Sequence, residues 1–152
     1  MRFLPATVLG LMLALIALAA TVSAEPSPSS TAAYRVIVHP ANRMSVVDRK
    51  FLEDAFLKKS TRWPHGTVIR PADLTARLPA RRRFSREVLD RSVAAVKAYW
   101  RQRIFSGRDV PPPEFDRDDQ VIDYVLKHDG AVGYVSGSAN LRGAKAVMVN
   151  RH

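Results

Sequence analysis

The residues best equipped to do chemistry in this chain are its arginines. Arg81, Arg82 and Arg83 stand in a row, with Arg77 just before them and Arg86 just after. Pro79 marks a helix start there, because proline is tolerated in a first helical turn, where its missing N–H has no partner to lose. A helix N-terminus offers free N–H groups and the positive end of a dipole, and guanidinium groups suit two-pronged binding of oxyanions. This spacing points to binding of a small anion. Successive helical residues turn by about 100°, so only one or two of the three arginines can face one ligand. Arginine at a helix N-terminus is itself unfavourable, by a few tenths of a kcal/mol in order of magnitude. The competing role for the run is a solvated basic face. Ser85 follows in the same stretch. Arg70 ends a strand-like segment, with a salt bridge to Asp73 as its competing role. Ser45 opens a helical pattern, with plain N-capping as its competing role. The candidate ligand-binding set is Ser45, Arg70, Arg81, Arg82 and Ser85.

Patterns for catalysis or metal binding are weak. In Gly133-Tyr134-Val135-Ser136-Gly137 the serine lies one place too late for a nucleophile elbow. His39, His65, His128 and His152 have none of the close spacings of a zinc site. Asp116, Asp118, Asp119 and Asp123 lack the glycine and closing glutamate of a calcium loop and read as helix-capping acids. Trp63, Tyr99, Trp100 and Tyr134 read as core or surface aromatics and do not interleave with the arginine run as a nucleic-acid stacking platform would. We therefore expect a non-catalytic protein with no cofactor, no metal and no nucleic-acid partner.

The first 24 residues read as an address. Arg2 is their only charge, Val8 to Ala20 is almost unbroken apolar sequence, and Val22-Ser23-Ala24 suits cleavage before Glu25. The apolar run is short for a membrane span, and no cysteine follows it to carry a lipid. This predicts a periplasmic or secreted protein, cleaved after Ala24, with no stable membrane insertion afterwards. The chain contains no cysteine at all, so the exported domain must rest on packing rather than disulfides. Its net charge is +10, to which Arg2 contributes one unit, and this favours anionic partners while saying little about fold.

These candidates need elements to position them. Residues 25–33 are a Pro/Ser/Ala linker, and residues 34–152 form one domain. Tyr34–Val38 reads as a strand ended by Pro40. Ser45 is expected to cap a helix through Val47, Phe51, Leu52, Ala55 and Phe56, ending near Lys58–Ser60. Trp63-Pro64-His65-Gly66 is a turn, and 67–70 a second strand stopped by Pro71. After the Pro79 helix, Ser92 caps another that runs to about Phe105 and stops at Gly107. Pro111-Pro112-Pro113 is an extended connector, and Asp116 or Asp118 caps a last helix closed by Gly130. Strands 131–135 and 145–149 finish the chain. The order β-α-β-α-α-α-β-β predicts an α/β domain, a mixed sheet flanked by helices, with ligands at strand C-termini near helix N-termini.

Phe56-Leu57-Lys58-Lys59-Ser60-Thr61-Arg62-Trp63, Phe84, Tyr99-Trp100 and Gly130-Ala131-Val132-Gly133-Tyr134-Val135 together resemble the second lobe of phosphate-type ABC-importer substrate-binding proteins. The resemblance covers roughly residues 34–150 and implies a single three-layer lobe of the type II periplasmic-binding-protein kind. A usual member closes two lobes around its oxyanion. Two departures stand out. Lys58 occupies a position where that family usually has glycine. Leu78-Pro79-Ala80 occupies the positions of its Ser-Gly-Thr phosphate cradle, which removes both hydroxyl donors and one N–H.

Two expectations follow. In the first, the chain binds a phosphate-like anion weakly, linked to an ABC importer, with a second copy or another protein supplying the opposite wall. In the second, the lobe has lost its ligand and docks to an envelope transporter or sensor.

Overall fold

The computed structural model describes residues 32–151, so the expected leader, its cleavage site and most of the linker lie outside the described residues. Among the described residues, no helix is long and apolar enough to cross a membrane. The architecture is α/β: a five-stranded mixed sheet with helices on both faces.

Strand β1 (Tyr34–Val38) lies near the middle of the sheet. It pairs antiparallel with β6 (Ala131–Ser136) on one side and with β7 (Lys145–Asn150) on the other. The short β2 (Val46–Asp48) runs parallel to β7 at one edge, and β3 (Arg70–Pro71) runs parallel to β6 at the other. Strand alternation sends Val36 and its cross-strand partner Tyr134 to one face, and Ile37 and its partner Gly133 to the opposite face.

The Tyr134 face carries α1 (Arg49–Phe56) and α2 (Pro79–Glu87). Phe84 of α2 stacks on the Tyr134 ring, centroids 3.8 Å apart and planes 6° from parallel, and Phe56 of α1 packs 4.7 Å from Phe84. Helix α3 (Val93–Phe105) packs behind α2. The opposite face carries α4 (Asp118–Lys127), and it explains Gly133: a Cβ there would lie 2.6 Å from Val121 Cγ1. Gly130 answers a second close approach, since its Cβ would run into the Val68 carbonyl. A parallel pair, β4 (Asp73–Leu74) and β5 (Glu114–Phe115), ties the α2 and α4 ends together.

Several expected elements form as read. The 63–66 turn closes with Gly66 N–H donating to the Trp63 carbonyl at 2.8 Å. Pro79 opens α2, and Ser92 caps α3 by accepting from Ala95 N–H at 3.1 Å.

Four details differ. Ser45 does not start a helix. The next three residues pair with β7, and Asp48 is the cap, accepting from the N–H groups of Lys50 and Phe51 at 2.7 and 3.2 Å. Helix α1 stops at Phe56, because Lys58 turns into the left-handed region (φ 53°). Lys59 N–H then donates to the Asp54 carbonyl and Lys58 N–H to that of Ala55, the pair of bonds by which helices often end on a glycine. The expected 67–70 strand shrinks to Arg70–Pro71, with Pro71 tolerated because β3 is an edge. Neither Asp116 nor Asp118 caps α4: the cap position is Arg117, without a side-chain bond, and Asp118 is the first helical residue.

Candidate functional site

In a sheet of this kind ligands sit beyond the strand C-termini, near helix N-termini. A hollow of about 360 Å³ lies there, between the ends of β4 and β6 and the starts of α2 and α4. Its walls include Leu74, Leu78, Pro79, Ala80, Asp118 and Ser136.

Asp118 dominates the chemistry. Its carboxylate accepts from the Ser136 N–H at 3.0 Å and from the Ser136 hydroxyl. These are the two donors that the end of β6 offers, and an internal carboxylate already holds them. The cations around the mouth are likewise engaged: Arg77 with Asp116 at 3.1 Å, and Arg117 with Asp119 at 2.9 Å. An incoming anion would meet two carboxylates and no uncommitted arginine on these walls. The opposing feature is α2, whose Leu78 cap position makes no side-chain bond and so leaves the first-turn N–H groups uncapped.

Beneath the hollow lies a buried polar cluster. Arg81, 1% exposed, places Nη1 at 2.6 and 2.5 Å from the two carboxylate oxygens of Asp73, itself 4% exposed. The Tyr134 hydroxyl donates to the same carboxylate, as does the Leu74 N–H at 2.9 Å. Burial pushes the Asp73 carboxyl up to about 6, against the opposing pull of Arg81, Tyr134 and Leu74. Burial, followed by the neighbouring Asp73 charge, drives the Tyr134 phenol well above its ordinary value. The cluster joins β4, α2 and β6 and pairs its two charges internally, while Arg81 Nε has no hydrogen-bond partner among the described residues.

The five sequence candidates are not brought together. Arg81 is the core partner of Asp73 rather than a surface ligand group. Ser85, one turn further along the same face of α2, is fully buried, and its hydroxyl has no hydrogen-bond partner among the described residues. Arg82 points to solvent and donates to the Arg77 carbonyl at 2.9 Å. Arg70 is exposed on the β3 edge beside Lys127 and His128, and the salt bridge to Asp73 belongs to Arg81 instead. Ser45 sits before β2, its carbonyl accepting from Met148 N–H at 2.9 Å. Sequence reasoning missed the Asp118–Ser136 pair. The sequence marks Asp118 only as a helix-capping acid and Ser136 only as a serine one place too late for a nucleophile elbow. The one available signal was a serine closing a Gly-x-x-Gly-Tyr-Val strand.

The sheet order, the helices on both faces and the hollow at the strand ends make an α/β lobe with a mixed sheet. Solved structures agree at the level of fold. The chain superposes on an ABC-type phosphate transport receptor from Vibrio cholerae with a TM-score of 0.59 at 17% identity, covering 77% of this chain and 46% of that one. A putative phosphate ABC transporter substrate-binding protein with bound phosphate from Clostridium perfringens gives 0.60 at 19%, covering 77% and 44%. PstS from Borrelia burgdorferi gives 0.60 at 13%, covering 78% and 47%. This chain thus spans less than half the length of each. No protein-family model and no curated protein matches it.

Proposed function

We propose that this chain is a non-catalytic, binding-protein-like lobe that works as a docking module in the bacterial envelope, with its half-cleft filled by its own carboxylate. The observation that carries this reading is the Asp118 carboxylate seated on both donors of Ser136. A second anion beside Asp118 would have to displace that carboxylate and face its charge. A single lobe also leaves one wall of the site to water, which competes for every hydrogen bond. An envelope transporter or sensor, or a second copy of the chain, would supply that wall. The expected leader puts the protein in the periplasm or outside the cell. Neither a nucleic acid nor a cofactor enters this reading.

A second reading has one observation in its favour. Helix α2 begins uncapped at the rim of the hollow, so its first N–H groups are open to a small oxyanion such as phosphate. Arg82, exposed on the same helix, is the candidate cation for it, with Ser45 and Arg70 further away in the fold.

A thermal-shift titration separates the two, using the chain from Glu25 onward with phosphate, sulfate and chloride at matched ionic strength. A ligand at one hundred times its dissociation constant adds about 2.7 kcal/mol. We expect no phosphate-selective shift in the wild type up to millimolar ligand, and a phosphate-selective shift in Asp118→Ala, where the Ser136 donors are released. A selective shift of several degrees in the wild type would overturn the docking reading in favour of the second.

A further inference from the structure

The surface that the half-cleft leaves unexplained is the outer side of α3 and the turn that follows it. From Arg91 to Arg108 the chain carries five cations and no carboxylate. Arg91 and Arg103 lie over the Tyr99 ring, 5.8 and 5.4 Å from its centroid. Lys97 and Arg101 on α3, and Arg108 just beyond it, are exposed, and none of them is within ion-pair distance of a carboxylate among the described residues. The same stretch of chain exposes large apolar groups. Phe105 is 91% exposed, Val110 63% and Ile104 52%. Helical spacing places Lys97, Arg101, Ile104 and Phe105 within about a quarter-turn of one another, since they lie four, seven and eight residues apart.

An apolar groove runs beside this tip, walled by Val96, Trp100, Ile104 and Pro111, with Lys97 and Arg101 along its rim. Two carboxylates lie nearby, and neither is within ion-pair distance of Lys97, Arg101 or Arg108 among the described residues. Asp109 is held by Lys58 at 3.2 Å, and Glu114 stands on the groove wall.

From this geometry we infer that the C-terminal end of α3 is a docking surface for an anionic lipid bilayer. Phe105, Ile104 and Val110 enter the headgroup boundary, while Arg101, Arg108 and Lys97 stand at the level of the lipid phosphates. Exposed apolar groups ringed by uncommitted cations suit a surface that offers both charge and hydrocarbon. A free phosphate ion offers no apolar layer for Phe105 to enter, and a polynucleotide offers base faces for stacking but no hydrocarbon layer for Ile104 and Val110. The contact is peripheral and reversible, compatible with the absence of a spanning helix among the described residues. It is independent of what fills the half-cleft, because the two surfaces share no residue.

The test is co-sedimentation of the chain from Glu25 onward with vesicles, one set of phosphatidylglycerol and phosphatidylcholine, the other of phosphatidylcholine alone. Every described element lies between residues 32 and 151, and removing the apolar leader removes a competing route to lipid. The protein should partition into the anionic vesicles only, and less so as salt rises. Phe105→Ser, a change at a side chain that packs on little else, should lower partitioning about tenfold. Arg101→Gln and Arg108→Gln should each lower it about fivefold. Millimolar phosphate should release no more protein than chloride at the same ionic strength. Equal partitioning into both vesicle types would overturn the proposal. So would wild-type partitioning by Phe105→Ser together with loss in the arginine variants, which would assign the patch to a polyanion instead.

Discussion

Replacing Arg81 with leucine tests whether the buried cluster, rather than a ligand site, is what this arginine builds. The change leaves the Asp73 carboxylate 4% exposed with only the Tyr134 hydroxyl and the Leu74 N–H as donors. Removing one partner of a buried ion pair costs about 3–5 kcal/mol, because the remaining charge stays out of water. For a domain of this size that is a drop of about 10–20 °C in melting temperature. The cost must also depend on pH. With Arg81 in place the Asp73 carboxyl sits at about 6. Without the guanidinium it rises further, so the variant holds its proton at pH values where the wild type has lost it. A raised carboxyl contributes stability at low pH that is lost as pH rises. The variant should therefore fall behind the wild type by about 1.4 kcal/mol per pH unit above about 6, until its own higher pKa is passed. Below pH 6 both proteins carry a neutral Asp73 and the gap is constant. Urea unfolding followed by circular dichroism at pH 5.5, 7 and 8 measures this. Adding Asp73→Asn to Arg81→Leu should recover about 2 kcal/mol at pH 8. A cost below 1 kcal/mol at pH 8, or one that does not change between pH 6 and pH 8, would refute the reasoning.

Two further outcomes test the backbone. Lys58→Gly and Lys58→Ala both lose the Asp109 ion pair, but only glycine relieves the left-handed φ of 53°, so the glycine variant should be the more stable by about 1 kcal/mol in urea. Gly133→Ala puts a methyl 2.6 Å from Val121 Cγ1 and should cost about 1–3 kcal/mol, most of it recovered when Val121→Ala is added. An additive double variant would mean that α4 can shift away from the sheet.

Much of the local structure was legible because it depends on nearby residues. Ser92 sits three positions before the N–H it caps, Pro79 suits a first turn by its own ring, and Gly66 closes a turn within four residues. The Gly130–Val135 motif could be recognised, and packing then supplied its reasons: the Val68 carbonyl behind Gly130, α4 over Gly133, and Asp73 against the Tyr134 hydroxyl. The misread elements were those whose partners are distant. Val46–Asp48 is a strand only because β7 lies alongside it, pairing Val46 with Met148, and a strand of three residues carries no periodicity to detect.

The sequence by itself determined an α/β lobe without disulfides, the places where most of its helices start and stop, and the rule that three consecutive arginines cannot all face one way. Only the tertiary structure decided which of them turns inward. Phe84 anchors one side of α2 against Tyr134, and the helical rotation then carries Arg81 and Ser85 into the core and leaves Arg82 and Arg83 in solvent. In the same way it set Asp118 on Ser136, a contact between residues 18 apart that depends on how α4 lies across β6. Caps and turns are settled by the energies of a few neighbouring bonds. The identity of a buried partner is settled by the packing of whole elements, which no local window of sequence contains.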